Sequence, residues 1–118
     1  MLEKQPEPAA GRAAASEGSP EASLAIQVLP KTASGDEVIR IVDAVIAYIK
    51  GTGLNTFVGP FETTVEGSFD QLCEIAREAQ LISIREGAGA VSTYMKWAYN
   101  PGEGVWSIDK KVSKHHVP

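Results

Sequence analysis

The sequence predicts an α+β sandwich: a four-stranded antiparallel sheet with two helices on one face. Three observations predict it. Apolar residues recur at helical spacing in two segments, each opened by a capping motif. Between these segments lies a strand, a turn and a strand, in which Asn55-Thr56-Phe57-Val58 runs into Gly59-Pro60 and a second arm ends at Gly67. A further strand-like run sits outside each helical segment, Leu24–Leu29 before the first and Val91–Tyr99 after the second.

Each element follows from local chemistry. Leu24-Ala25-Ile26-Gln27-Val28-Leu29 reads as a strand stopped by Pro30. Ser34 with Glu37 three residues on forms a capping box, and Val38, Ile41, Val42, Val45, Ile46 and Ile49 make the stripe behind it. Gly51-Thr52-Gly53 stops that helix. Ser68 and Gln71 repeat the capping box after the hairpin. Phe69, Leu72, Cys73, Ala76 and Ala79 follow as the second stripe, widened by Ile75 and Ile82, and this helix ends near Gly87. Val91–Tyr99 is closed by Asn100-Pro101-Gly102. Ser107–Lys114 is expected as a short polar helix, with Val105 and Trp106 anchoring its start. The order strand, helix, strand, strand, helix, strand is that of the split βαβ, or ferredoxin-like, sandwich. Both main helices then share one face and the other is expected to be open. Alternation sends Ala25, Gln27 and Leu29, and Ser92, Tyr94 and Lys96, to one side of their strands. A polar but partly apolar open face suggests a ligand platform, a subunit interface, or both.

Composition bounds the rest. With 118 residues the chain is read as a tail plus one domain. Residues 1–23, rich in Ala, Glu, Pro, Gly and Ser, are expected to be disordered, and 24–118 to form the single domain. The tail lacks the basic start and apolar stretch of a secretory signal. A net charge of -4 argues against a nucleic-acid surface, and no apolar run is long enough to span a bilayer. The acidic balance suits a cationic ligand slightly better than an anionic one. Cys73 is the single cysteine, expected as a small buried hydrophobe, and a reducing, cytoplasmic setting is expected.

The hairpin's second arm carries two carboxylates, Glu62 and Glu66, and two threonines, and these polar groups mark the candidate small-molecule site. Three segments carry a resemblance: Ile26–Pro30, Val58-Gly59-Pro60 through Thr63-Thr64-Val65-Glu66-Gly67, and Ser107–Lys114. From Leu24 to Lys114 the chain resembles the thiamine-binding, MTH1187/YkoF-like family of small ferredoxin-like proteins. The resemblance implies binding of thiamine or its aminopyrimidine portion and assembly into dimers or tetramers through the sheets; it does not imply catalysis, and no enzyme activity is expected.

Thiamine is an aminopyrimidine joined to a permanently cationic thiazolium. A site for it needs an aromatic face, a carboxylate, and hydroxyl or amide groups. Glu66 is the first-choice carboxylate, against the plainer reading that it favours a following helix start. Glu62 shares its face, but reads better as a solvated turn residue. Thr64 shares parity with Glu66, whereas Thr63 shares parity with Phe61 and Val65 and is a packing candidate as well as a ligand candidate. Gln27 is the one polar residue inside the first strand. Tyr94 offers a ring and a hydroxyl on the face it shares with Ser92 and Lys96. Lys96 is expected to pair with a carboxylate across an interface, or to meet a phosphate. Phe57 is ambiguous, and Trp97 and Trp106 read as core and anchor. The candidate ligand set is Gln27, Thr63, Thr64, Glu66, Ser92 and Tyr94.

Thiamine is expected as ligand rather than coenzyme, because no Gly-Asp-Gly segment with a spaced Asn is present to hold a magnesium diphosphate. His115 and His116 are adjacent, the wrong spacing for a metal pair, and Gly87–Gly89 is too short for a nucleotide fingerprint. A binding protein acting as carrier, buffer or sensor is the favoured function. A ligand-free structural oligomer and an enzyme on the same scaffold are the alternatives.

Overall fold

β1 (Ala22–Lys31) is the strand on which the rest is built. In the computed structural model, which describes residues 19–116, it pairs antiparallel with β4 (Ala90–Tyr99) along its whole length. On its other side it pairs with β3 (Thr63–Gly67) as far as Ile26. The short β2 (Thr56–Val58) completes the four-stranded order β2-β3-β1-β4. Two helices of 17 residues, α1 (Gly35–Gly51) and α2 (Phe69–Arg85), lie on one face, and a short α3 (Ile108–Val112) follows β4. The fold is the expected ferredoxin-like α+β sandwich.

The core forms where β1's alternation meets the two helical stripes. Leu24, Ile26 and Val28 pack with Val45 and Ile49 of α1, Leu72, Ile75, Ala79 and Ile82 of α2, and Val65 of β3. Burying each large aliphatic side chain stabilises the fold by about 1.5–3 kcal/mol. Both helix caps form. Ser68 and Gln71 make the reciprocal box, Ser68 Oγ accepting from Gln71 N and Gln71 Oε1 accepting from Ser68 N at 2.9 Å. The first box is half made. Ser34 Oγ accepts from Glu37 N, but the Glu37 carboxylate turns to Arg40. Arg40 also reaches Glu86 Oε1 at 2.8 Å and the Glu86 carbonyl, joining the start of α1 to the end of α2. Glu37 and then Glu86 push the Arg40 pKa up.

Several expectations are corrected. The tail boundary drawn at Ser23 falls too late: Glu21, Ala22 and Ser23 are buried, β1 starts at Ala22, and residues 1–18 of the expected tail lie outside the described residues. Glu21 Oε1 accepts from Phe69 N at the start of α2, and the Pro20 carbonyl accepts from Val105 N at 2.7 Å. Gly104 makes that approach possible: it sits at φ +83, and a Cβ there would lie 2.9 Å from the Pro20 carbonyl oxygen. Cys73 is exposed, because the buried stripe of α2 runs through Leu72, Ile75, Ala76, Ala79, Ile82 and Ser83 and turns it outward. Trp106 is 65% exposed, and Ile108, at 8%, is the anchor of the C-terminal helix. That helix is shorter than expected, ending at Val112 and tightening into a 3-10 turn over Ser113–His115.

Among the described residues, Thr93 carries the one buried side-chain polar atom left unmatched. Its hydroxyl oxygen is buried with no hydrogen-bond partner in the structure. Thr93→Val keeps the shape and the strand preference while removing an unmet polar group. The expected outcome is a gain of up to about 1 kcal/mol in urea unfolding. A comparable loss would show that the hydroxyl has a partner.

Candidate functional site

The sheet register builds the site. Phe57 on β2 stands opposite Thr64 on β3, Thr64 opposite Ala25 on β1, and Ala25 opposite Lys96 on β4. Cross-strand partners point to the same side, so these four residues form one row across the face away from α1 and α2. The next row contains Glu66, Ser23 and Ala98. A recess of about 350 Å³ opens over these rows. Ser23, Ala25, Phe57, Glu62, Thr64 and Lys96 line its sheet side. Ile108, Lys111 and Val112 of α3 close it from the chain's far end. The second face is therefore not bare, as the sequence led one to expect, but is partly covered by the C-terminal segment.

Glu66 holds that segment in place. Its Oε2 accepts from the Ile108 backbone N–H at 2.8 Å, and its Oε1 accepts from Asn55 Nδ2 at 2.7 Å. Asn55 also accepts from Glu66 N through its carbonyl, so the two residues are tied twice. Ser107 Oγ caps the same turn by accepting from Lys110 N. Further along, His116 meets the Phe57 ring edge-on, with centroids 5.4 Å apart.

A second cavity of about 220 Å³ lies behind the hairpin, between its Gly59–Thr63 tip and α1. Its walls are mainly apolar, with Val42 and Ile46 of α1 facing Val28 of β1, and Gln27 and Thr63 add polar groups. Glu62 lines both cavities.

The candidate ligand residues are thus divided. Thr64 lines the open-face recess; Gln27 and Thr63 line the hairpin cavity, Thr63 being buried toward the helices. Tyr94 is 64% exposed opposite Gln27, and Ser92 lies exposed opposite Leu29; neither lines either of these two cavities. Glu66 lines neither and has both oxygens engaged. Glu62, read as a solvated turn residue, reaches onto the open face and meets Lys96 Nζ at 3.2 Å. Lys96 finds its carboxylate within the chain. Ser23, Ile108 and Lys111 were missed. Ser23 was assigned to the tail, and no local signal in the sequence brings α3 back over the sheet. Trp97 and Tyr99 pack on Phe69 on the helix side, at 5.4 and 4.6 Å between centroids.

An open-faced sheet with a roofed recess, mixing an aromatic ring, hydroxyls and charge, defines a small-ligand-binding module more than a nucleic-acid or membrane surface. No helix among the described residues is long and apolar enough to cross a membrane. A family model described as thiamine-binding protein matches residues 24–116. The chain belongs to that family. It is 43% identical over 93 residues to the UPF0045 protein CPE1503 of Clostridium perfringens, covering 79% of this chain and 95% of that one. Among solved structures it resembles a domain of unknown function, DUF77, from Bacillus cereus, with a TM-score of 0.74 and 34% identity over 86% of this chain and 96% of that one. It also resembles a putative thiamine biosynthesis/salvage protein, TM0486, from Thermotoga maritima, with a TM-score of 0.70 and 27% identity over 80% and 98% of the two chains.

Two outcomes follow from this geometry. Glu66→Gln weakens the charge-assisted bond to Ile108 N, so trypsin is expected to cut at Lys110 and Lys111 several-fold faster, with a global stability loss of only about 1 kcal/mol. Unchanged cleavage would show that Glu66 does not hold the segment. Partial desolvation against the helix surface, and then Asp70 one turn earlier, push the Cys73 thiol pKa up. Since the thiolate is the nucleophile, iodoacetamide is expected to label Cys73 more slowly in the folded chain than in urea at mildly alkaline pH, the gap closing as pH rises past the folded-state value. Faster labelling of the folded chain contradicts this.

Proposed function

We propose that this protein binds thiamine, or the aminopyrimidine part of it, in the open-face recess, and acts as a carrier, buffer or sensor without chemical turnover. The observation that carries the reading is the convergence there of the Phe57 ring, the Ser23 and Thr64 hydroxyls and the Glu62 carboxylate. The ring offers a stacking surface to a flat heteroaromatic. The hydroxyls can both donate to and accept from pyrimidine nitrogens and the exocyclic amine. The carboxylate offsets a thiazolium charge. The volume is within the range of small-ligand pockets, about 300–1,000 Å³. Membership in the thiamine-binding family supports the ligand class. Binding rather than catalysis is favoured because Glu62 is already matched by Lys96; an ion-paired carboxylate serves recognition better than proton transfer.

Self-assembly belongs to the same proposal. β4 is an edge strand of ten residues with Met95 and Trp97 each 39% exposed beside it. Edges of this length invite pairing with another strand. A second copy added antiparallel along β4 would make a dimer.

Titration calorimetry with thiamine tests the ligand, and native mass spectrometry of the same sample tests the assembly. Saturable heat is expected, weakened about tenfold in Phe57→Ala by loss of the stacking surface. No heat and no thermal shift at high thiamine concentration would remove the reading.

A further inference from the structure

We propose that the open-face recess selects a phosphate monoester of its heteroaromatic cation over the free alcohol, with Lys96 and Lys111 as the anion-recognising pair. This rests on the recess being the ligand site and names the form of the ligand it takes.

The charge of the lining carries the argument. The recess has one carboxylate, Glu62, against two ammonium groups, Lys96 and Lys111. Glu62 and Lys96 neutralise each other at 3.2 Å. Lys111 has no ion-pair partner among the described residues. Its neighbour Lys110 does not share this position: its ammonium lies 5.3 Å from the centre of the Trp106 ring, and it does not line the recess. A thiazolium bearing only an alcohol therefore adds a positive charge to a lining with a positive excess. A phosphate ester on the same molecule reverses the sign of the match. Its cation can take Glu62 while its phosphate takes the lysines, so that no charge in the recess is left without an opposite.

The layout agrees. Phe57 and Lys96 stand at opposite ends of the row Phe57, Thr64, Ala25, Lys96. Three inter-strand steps separate their backbones, about 14 Å. That is a span for two rings in series followed by a short ester arm, with the ring end at Phe57 and the anionic end toward β4. Lys96 has the freedom this needs: its side chain is 75% exposed and, among the described residues, its ion-pair partner is Glu62. A surface ion pair of this kind is weak enough for a phosphate to compete with it.

The test is calorimetry on the full chain with thiamine, thiamine monophosphate and inorganic phosphate, at low salt and at about 0.5 M, where screening reaches a few Å. The wild type is expected to bind the monophosphate about tenfold tighter than thiamine at low salt, the ratio shrinking as salt rises. Lys111→Met and Lys96→Met are each expected to bring the two affinities within about twofold, chiefly by weakening binding of the monophosphate. Both side chains are exposed, so circular dichroism is expected to show folded variants. Thiamine and its monophosphate binding equally well, or a preference that survives both substitutions, overturns the proposal and leaves thiamine binding standing. Inorganic phosphate binding as tightly as the ester overturns it in favour of a plain anion site. Neither organic ligand binding removes the proposal together with the reading on which it rests.

Discussion

Every feature of this protein depends on the two-residue alternation of one central strand. β1 sends Ala22, Leu24, Ile26 and Val28 to the helices and Ser23, Ala25, Gln27 and Leu29 to the other side. The first set closes the core with α1 and α2; of the second, Ser23 and Ala25 floor the recess. A slip of one residue against β3 or β4 would exchange the two faces, placing Gln27 among the core aliphatics and Leu24 over the recess. The cost of burying an amide without partners and exposing several aliphatic side chains together makes such a slip inaccessible. The register therefore sets the identity of the site as firmly as it sets the fold.

The second constraint is long-range. Glu66 lies on β3 and Ile108 is 42 residues later, yet the carboxylate accepts the first free amide of α3. A helix of five residues cannot hold itself together in water. It persists here because Ile108 is buried and because Glu66 and Ser107 take up amides its first turn leaves unpaired. The recess thus exists only with the C-terminal segment docked. Most of its lining comes from the sheet and the hairpin, and the rest from a segment held by a few contacts.

How far the sequence could be read follows the same division. The hairpin at Gly59-Pro60, the cap at Ser34, the box at Ser68 and both apolar stripes are local signals, and each element appears where they put it. Cys73 shows the limit of a stripe. It falls at helical spacing with Phe69 and Ala76, but the stripe is wider than the buried face, and packing against β1 selects Leu72 and Ile75 instead. Glu66 shows the limit of parity. Its face was legible, but its partner was not, because nothing near residue 66 indicates that residue 108 returns to it. Glu62 shows the converse: a turn residue by sequence, it is brought to Lys96 only by β1 standing between their strands. Ser23 was lost because its neighbours toward the start are small and polar, and nothing local signals that Pro20 and Glu21 are tied to Val105 and Phe69, so that the ordered chain begins before it.

Global charge misleads in the same way as local motif. The chain carries -4 overall, which on its own suits a cationic ligand. Much of the acidic charge is spent elsewhere: Glu37 and Glu86 hold Arg40, Glu74 and Glu78 hold Arg77, and Glu66 serves the C-terminal segment. Apart from Glu66, which keeps its charge while accepting from neutral amides, these groups lie on the helical side. The charged groups that a ligand in the recess touches directly are those of its lining, and there two lysines stand against one carboxylate. The segment that roofs the recess adds to this, since Lys110, Lys111 and Lys114 against Asp109 make it locally basic on an acidic protein. The same docking that creates the recess therefore also sets its sign, so a change that loosens α3 alters both the shape offered to the ring and the potential offered to whatever the ring carries.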